Sequence, residues 1–433
     1  MKHTIQILLL AITLATVFQI AGQDIKYERD RHSSMLRWIK DDVKKNYYDP
    51  NLKGIDIEAK FKIAAEKIKS AGSIGQMNGI IAEFLIDFDD SHLFYLPPAR
   101  ADKSDYGFDF GMVGDKCFVL YVDRGSNAEK QGLKIGDEIY SLQTFEPTRD
   151  SLWKMKYFYF ILRPGLPLDV VVIRPDGTNA QMSIAPKVTP GRRVRGEGED
   201  LNTLIRESVA ARLRASRHYA YDKLPDAFIW KMPSFDLEPE KVDEIIEKAK
   251  GHKSLIIDLR GNGGGRVDML QRLIATIFDR QVLIGTEKRR KDSKELLAKS
   301  KGKALYSGTV IALVDSRSGS ASEVFARVLQ LEKRGKVFGD RTSGAVMESR
   351  VYDREFGVDQ AIYFATSITV ADLLMSDGKS LEKIGVTPDV VLLPTAADLV
   401  ARRDVLLAKA LESVGVKLTP EAAGRIFPDE DGR

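Results

Sequence analysis

The residue best suited to chemistry is Ser320, at the junction of two predicted elements. The apolar, β-branched run from Val310 to Val314 predicts a strand, and a helical pattern begins directly after the small residues 318–322. A serine in such a turn can act as a nucleophile, because a helix N-terminus stabilises developing negative charge. Ser-x-x-Glu is also a capping box, so the pattern alone leaves a simple helix cap as the alternative.

A glycine-rich turn follows another predicted strand, which runs from Ser254 to Leu259. Its sequence is Arg260-Gly-Asn-Gly-Gly-Gly265. The turn lacks the Lys-Ser/Thr of a Walker motif, and its glycines do not have the dinucleotide-binding spacing. A tight turn and an oxyanion hole remain as alternatives, the latter because glycine lets backbone N–H groups approach an acyl oxygen closely.

Composition limits the class of protein. The chain has 433 residues, 43% hydrophobic and 30% charged, which predicts a globular protein of two to four domains. The net charge of +4 is spread along the chain without a basic platform interleaved with aromatic residues, so no nucleic-acid partner is expected. Cys117 is the only cysteine, which excludes an intrachain disulfide and multi-cysteine metal sites. No metal or other cofactor is predicted.

The first residues have the pattern of a signal peptide. Lys2 and His3 precede an apolar run from Ile7 to Ile20, and the small residues Ala21 and Gly22 follow. We expect residues 1–22 to be cleaved. The mature protein would then be exported, periplasmic or extracellular, without stable membrane insertion.

The remaining chain divides by its hydrophobic periodicity. Residues 26–98 predict a helical domain that carries His92, and residues 105–187 predict short strands and turns. A basic linker (188–222) then leads to a core of alternating strands and helices (223–411). The last helix of this core is predicted at Leu399–Leu411, and a C-terminal tail (412–433) follows it. The fold class is therefore α/β and multidomain, with helices packed on the faces of a sheet in the core.

Four motifs in order resemble the C-terminal processing (tail-specific) serine peptidases, a superfamily that includes the tricorn protease. They are Asp258-Leu-Arg-Gly-Asn-Gly-Gly-Gly265, Ser320-Ala-Ser-Glu323, Gly339-Asp-Arg-Thr-Ser-Gly344 and Leu381-Glu-Lys-Ile-Gly-Val-Thr-Pro-Asp389. The resemblance implies a ClpP/crotonase-like catalytic core and an acyl-enzyme mechanism.

A further pattern, Gly132-Leu-x-x-Gly-Asp-x-Ile139, resembles a PDZ domain. This resemblance implies a carboxylate-binding loop at Phe108, Phe110, Gly111 and Met112, beside which a peptide C-terminus would add as an edge strand. A PDZ-like domain used only as a rigid spacer or lid is the alternative.

One departure from the family pattern bears on mechanism. The Ser–Lys branch has a Gly-Lys pair where this chain has Gly344-Ala345, so a lysine base from this position is excluded. Tricorn-like members use a histidine that precedes the PDZ domain, and His92 occupies that position. The resemblance then implies that Glu382 and Ser91 complete a tetrad with His92 and Ser320. It also implies that the N–H groups of Gly264 and Ala321 form the oxyanion hole.

The sequence as a whole predicts an exported serine endopeptidase that docks the unstructured C-terminal tails of protein or peptide substrates. It leaves a homo-oligomer open. Two alternatives without catalysis use the same fold: a carrier of hydrophobic ligands, as in interphotoreceptor retinoid-binding protein, and a PDZ scaffold with a vestigial hydrolase domain.

Overall fold

The structure is a computed structural model that describes residues 25–98, 103–162, 165–189, 218–300, 306–356 and 362–427. The predicted signal peptide (1–22) and most of the predicted linker (190–217) lie outside these residues. Within the described ranges, no helix combines the length and apolar character needed to cross a bilayer.

The elements are numbered in chain order. The helices are α1 (25–46), α2 (Ile57–Ser70), α3 (Ile74–Ile86), α4 (Asn127–Lys130), α5 (Leu152–Lys156, continued by a π-helical segment at Tyr157–Leu162), α6 (Pro239–Ala249), α7 (Val267–Ile277), α8 (Ala321–Leu331), α9 (Ala396–Val400), α10 (Val405–Ser413) and α11 (Pro420–Ala423). The strands are β1 (Phe94–Leu96), β2 (Lys103–Asp105), β3 (Phe108–Val113), β4 (Lys116–Val122), β5 (Glu138–Leu142), β6 (Leu168–Ile173), β7 (Asn179–Ile184), β8 (Lys187–Thr189), β9 (Tyr219–Tyr221), β10 (Ala227–Lys231), β11 (Ser254–Asp258), β12 (Val282–Arg289), β13 (Ser293–Ala298), β14 (Thr309–Val314), β15 (Gly335–Gly339), β16 (Met347–Phe356), β17 (Ile362–Met375) and β18 (Val390–Val391).

The N-terminal segment is helical, as its periodicity predicts. Asp56 and Ser73 cap α2 and α3 by accepting hydrogen bonds from backbone N–H groups. The segment then ends in β1, which pairs antiparallel with the long strand β17, Tyr95 opposite Thr366. The residues around His92 are therefore attached directly to a sheet formed by the C-terminal half of the chain.

The α/β core predicted from residue 223 is confirmed. Its sheet has the strand order β18-β15-β14-β11-β10-β9, and all neighbours are parallel except β9 and β10. In β11, Leu255 and Ile257 pack with α6, α7 and α8, whereas Ile256 packs with α10 and α11. This alternation explains the unbroken apolar runs in the sequence, because strands covered on both faces need no polar side.

A second core sheet was not predicted. It has the order β1-β17-β12-β13, and β16 pairs with β17 in a long hairpin. This sheet brings β1, from the N-terminal segment, together with strands that follow Val282.

The predicted boundaries of the core are wrong at both ends. Tyr219–Tyr221, assigned to the linker, forms strand β9 beside β10. Residues after 412, assigned to a tail, include α11, whose Ala423 is buried with α10 in the core. The single helix predicted at Leu399–Leu411 is two helices, because Arg402 has a positive φ of 53° and Asp404 begins α10 as its N-cap.

Residues between Tyr106 and Ile184 form a separate antiparallel sheet with the order β3-β4-β5-β6-β7. The segment predicted as a carboxylate-binding loop lies in its edge strand, β3. Phe108, Phe110 and Met112 alternate along this strand and are buried in the core of the unit. The loop assignment is therefore wrong, because the period-2 alternation of Phe-Asp-Phe-Gly-Met is that of a half-buried strand.

A partly buried charge cluster connects the end of β11 to the start of α10. Arg260 donates to Asp258 at 2.8 and 2.7 Å and to Asp404 at 2.9 and 2.7 Å. Asp404 also caps α10 by accepting from the Leu407 N–H at 2.9 Å. Burial alone would raise the pKa of Asp404, but the Arg260 guanidinium holds this pKa below its usual range.

Replacing Asp404 with asparagine should remove the negative charge and keep the cap of α10, because asparagine is an equally good N-cap. We expect Asp404→Asn to lower the free energy of unfolding by about 3 kcal/mol, since Arg260 is left with half of its compensation. Asp404→Ala should cost about 1 kcal/mol more through the lost cap. Urea unfolding measures both. The exposed Asp41→Asn is the control, and an Asp404→Asn effect no larger than that of the control would contradict the assignment.

Candidate functional site

Ser320 lies in an unusual backbone conformation between β14 and α8. Its φ of 52° and ψ of −119° are rarely adopted by residues other than glycine. Gly264 packs against it: a Cβ at Gly264 would lie 2.6 Å from the Ser320 Cβ and 3.1 Å from the Ala321 nitrogen. A strained serine between a strand and a helix, approached closely by a glycine-rich turn, has the geometry of a nucleophile elbow.

Glu323 connects Ser320 to the loop that follows β15. Its carboxylate is fully buried and accepts hydrogen bonds from five donors: the backbone N–H of Ser320, Gly344 and Ala345 and the hydroxyls of Thr342 and Ser343, at 2.5–3.2 Å. Burial raises the pKa of Glu323, and the hydrogen bonds act in the opposite direction. The glutamate of the predicted capping box therefore holds the serine backbone and residues 342–345 in one arrangement.

Ala345 lies against the candidate nucleophile. Its carbonyl oxygen accepts the Ser320 N–H at 2.9 Å. The position where the Ser–Lys branch carries its lysine is thus adjacent to Ser320, but here its side chain is a methyl group. A base must come from another segment.

His92, Ser91 and Glu382 form a hydrogen-bonded chain. Ser91 Oγ lies 2.7 Å from His92 Nδ1 and donates to Glu382 Oε2 at 3.0 Å. The Ser91 N–H donates to Glu382 Oε1 at 3.1 Å, and the Val346 N–H donates to Glu382 Oε2 at 2.9 Å. The structure therefore brings together three residues that are separated by up to 291 positions in the sequence.

This chain assigns the tautomer of His92. A serine hydroxyl has one proton, and Ser91 donates it to the carboxylate of Glu382. Ser91 Oγ therefore accepts from His92 Nδ1–H, and Nε2 carries the free lone pair. Burial lowers the pKa of His92 below its ordinary value, and nearby Asp90 acts in the opposite direction. Because the effect of burial is the larger one, the ring is favoured in its neutral form, with the lone pair on Nε2.

Asp90 anchors the turn that carries His92. This carboxylate is almost fully buried and accepts from the His92 N–H at 2.9 Å, Tyr47 Oη at 2.7 Å and Thr369 Oγ1 at 2.7 Å. The turn is thereby fixed both to Tyr47, the residue directly after α1, and to β17.

Ser320 and His92 line the same cavity, which has a volume of about 340 Å³. Among the described residues, neither side chain donates a hydrogen bond to the other. Catalytic hydrogen bonds are often longer in ligand-free enzymes and tighten when substrate binds. The cavity is the place where a reacting group would meet both side chains.

The two amides predicted to form an oxyanion hole differ in their partners. The Ala321 N–H is the first amide of α8, and no acceptor for it lies in the described part of the chain. The Gly264 N–H instead donates to Asn262 Oδ1 at 2.8 Å. Ala321 is thus free to bind an oxyanion, whereas Gly264 requires Asn262 to release it first.

The edge of β3, where a peptide was predicted to add, contacts the core. Ser316 Oγ donates to the Met112 carbonyl at 2.6 Å, and Lys156 Nζ donates to the Phe110 carbonyl at 2.6 Å. A Cβ at Gly111 would lie 3.3 Å from the Arg317 side chain. A peptide can therefore pair with this edge only if Ser316 and Lys156 move away.

Several residues at the site were not predicted from sequence. The buried carboxylates Asp90 and Glu287, the turn-forming Asn262 and the cavity-lining Glu348 belong to this group. Asn262 lies inside a recognised motif and Asp90 directly precedes Ser91 and His92, so both could have been suspected from their positions. Glu287 and Glu348 lie on strands of the second sheet, and only the strand register brings them to the cavity. No group of three or more His, Cys, Asp or Glu side chains suited to a metal ion occurs among the described residues.

Comparison with known proteins finds relatives among peptidases. Residues 229–392 match the model of Peptidase family S41. The chloroplastic C-terminal processing peptidase of Tetradesmus obliquus is 33% identical over 181 residues, which cover 41% of this chain and 35% of that protein. The tail-specific protease of Haemophilus influenzae is 25% identical over 325 residues, covering 70% of this chain and 43% of that protein. The chain thus spans less than half the length of these two relatives.

A solved structure shares the fold over most of the chain. The crystal structure of mature CPAF superposes with a TM-score of 0.66 at 15% sequence identity, covering 86% of this chain and 94% of that protein. The likeness extends beyond the segment matched by the family model.

The contribution of Glu323 can be measured by replacing it with glutamine. Glutamine offers one acceptor oxygen and turns an NH₂ group towards donors that already point at this position. We expect Glu323→Gln to lower the free energy of unfolding by about 3 kcal/mol, as measured in urea. Glu247→Gln, at an exposed ion pair with Lys250, should change it by less than about 0.5 kcal/mol. Equal effects of the two substitutions would contradict the proposed role of Glu323.

Proposed function

Residues 229–392 form a peptidase family S41 domain, and from this premise we propose that the protein is a serine endopeptidase of the Ser–His type. The observation that carries the proposal is the placement of Ser320 and His92 on one cavity, with the basic nitrogen of His92 fixed by Ser91 and Glu382. These roles match those of a nucleophile, a general base and the groups that orient the base.

In the proposed reaction, Ser320 Oγ attacks the carbonyl carbon of a peptide bond while His92 Nε2 removes the hydroxyl proton. The C–N bond then breaks, and the imidazolium donates that proton to the departing amine. An ester between Ser320 and the acyl part of the substrate remains. Water hydrolyses this ester with His92 again acting as the base, which restores Ser320.

Ser91 and Glu382 act by holding the ring. The imidazolium that forms at His92 is stabilised through Ser91 Oγ by the Glu382 carboxylate, which two backbone N–H groups hold in place. Burial raises the pKa of Glu382, and its hydrogen bonds lower it. The arrangement differs from a triad with a direct His–carboxylate contact, because a hydroxyl lies between the two groups.

The developing oxyanion would be bound by the Ala321 N–H at the N-terminus of α8. In the proposed mechanism, the Gly264 N–H joins it when Asn262 Oδ1 turns away. Loss of one such donor typically costs about 2.7–4 kcal/mol of transition-state stabilisation.

We also propose that the substrates are proteins or peptides with unstructured, free C-termini and that the protein is exported. Support for the first part comes from relatives that are themselves named C-terminal processing or tail-specific and from β3 as the edge strand of a PDZ-like unit. A tail that adds to β3 would displace Ser316 and Lys156 from its carbonyl oxygens. Support for export comes from the signal-peptide pattern of residues 1–22.

A fluorophosphonate probe tests the enzyme directly, because it reacts only with an activated serine. We expect the wild-type protein to be labelled at Ser320, Ser320→Ala to be unlabelled and His92→Ala to be labelled at least about 100-fold more slowly. Ser316→Ala is the matched control for a serine in the same loop that is not the nucleophile.

The same proteins are then tested with peptides that have free or amidated C-termini. Faster cleavage of the free form would support tail recognition, whereas equal cleavage would contradict that part only. Absence of labelling and of cleavage in the wild type would contradict the enzyme and favour a carrier or scaffold.

A further inference from the structure

The cavity that contains Ser320 has one long apolar wall. Its side chains come from α7, α8 and two strands of the second sheet: Val267, Leu270, Val324, Leu296 and Leu373. Because Ser320 and Ala321, the free oxyanion donor, also line this space, the carbonyl under attack would lie beside the apolar wall. The cavity therefore receives a side chain adjacent to the scissile carbonyl, and its wall suits an aliphatic chain.

Two carboxylates line the same cavity from strands on opposite sides of β17. Glu287 pairs with Leu373, and Glu348 pairs with Ala371, two positions away. Residues two apart on a strand share a face, as do directly paired residues, so both carboxylates project to the face that Leu373 and Ala371 present to the cavity. The cavity is thus lined both by aliphatic side chains and by the carboxylates of Glu287 and Glu348.

These two carboxylates share one close cation. Arg289 donates to Glu287 Oε2, but its guanidinium lies 3.9 Å from Glu348 Oε2, beyond hydrogen-bonding distance. Glu348 Oε2 is enclosed and has no hydrogen-bond partner, although the Glu348 residue as a whole is only partly buried. A buried acceptor without a donor costs free energy, more so when it is charged. The nearest cation to Glu348 is thus the Arg289 guanidinium at 3.9 Å, and a second cation in the cavity would stabilise the Glu348 carboxylate.

The charges around Glu348 also favour a cation in the cavity. Burial raises its pKa, and the neighbouring Glu287 raises it further, while Arg289, Arg350 and Lys294 act in the opposite direction. Arg350 and Lys294 are solvent-exposed, so they screen the pair only weakly. A cation brought into the cavity would relieve the repulsion between the two carboxylates.

We propose that this cavity is the subsite for the residue on the acyl side of the scissile bond and that it takes lysine or arginine. The aliphatic stem of such a side chain would pack on the wall formed by Leu270, Val324 and Leu373. Its ammonium or guanidinium would lie against the accessible part of the Glu348 carboxylate, beside the Arg289–Glu287 pair. Long cationic side chains combine the two properties that the cavity offers, an apolar stem and a charged tip.

This inference rests on the proposed peptidase function, and it concerns the substrate rather than the reaction. The experiment begins with digestion of a denatured protein and mapping of the cleavage sites by mass spectrometry. Peptides that differ only at the acyl-side residue then measure kcat/KM for lysine, norleucine, arginine and citrulline. Norleucine and citrulline keep nearly the same shape but lack the charge.

We expect cleavage sites enriched in lysine or arginine, and kcat/KM at least about tenfold higher for lysine than for norleucine. Glu348→Gln should reduce that ratio to near one, a change that a purely structural effect would not produce because both substrates would suffer equally. The control is Glu295→Gln on β13, which removes an exposed carboxylate that does not line the cavity. It should leave the ratio unchanged.

Two results would overturn the subsite. One is a wild-type preference for norleucine or for small apolar residues. The other is a lysine-to-norleucine ratio that survives both Glu348→Gln and Glu287→Gln. Cleavage with either result would still leave the peptidase proposal intact. Failure to cleave any substrate, combined with failure of the fluorophosphonate to label Ser320, would instead remove the peptidase proposal and the subsite with it.

Discussion

The structure around Ser320 depends on one buried carboxylate. Glu323 accepts hydrogen bonds from five donors, which come from the serine backbone and from residues 342–345. Such a group is stable only when its lone pairs are filled, so the strained elbow and the loop after β15 must form together. The same loop continues into Val346, whose N–H holds Glu382. The position of the proposed base is thus linked, through backbone, to the carboxylate that fixes the nucleophile.

His92 reaches this site because the N-terminal segment becomes part of the second sheet. Strand β1 follows His92 directly and pairs with β17, while Asp90 ties the preceding turn to Tyr47 and Thr369. Position 345 is alanine, so in the proposed mechanism the base is a histidine supplied from 228 positions upstream of Ser320 and not a lysine from the neighbouring loop. A base from so distant a segment requires a rigid attachment, and the buried Asp90 network provides it.

The sequence predicted those features that depend on local pattern. The strand-to-helix turn at Ser320, the glycine turn at 260–265 and the α/β core follow from hydrophobic period and glycine spacing. The four ordered motifs predicted the family that residues 229–392 match. The sequence could not predict that Glu287 and Glu348 line one cavity, because their positions depend on the register of β12 and β16 with β17. The resemblance to a PDZ domain predicts a loop at β3, whereas the alternation of Phe108, Phe110 and Met112 is that of a strand. The packed C-terminal residues were missed because a short helix such as α11 has too few residues for a periodic signal.

The central claim is that His92 is the base for Ser320, and the pH dependence of kcat/KM tests it most directly. A neutral imidazole is required, and burial lowers the pKa of His92. Activity should therefore be constant near neutral pH and fall only on the acid side, with an apparent pKa below about 6.5. His92→Ala should remove this acid limb together with at least about 99% of the rate. A rate that rises towards alkaline pH as a lysine loses its proton, or an unchanged acid limb in His92→Ala, would contradict the account.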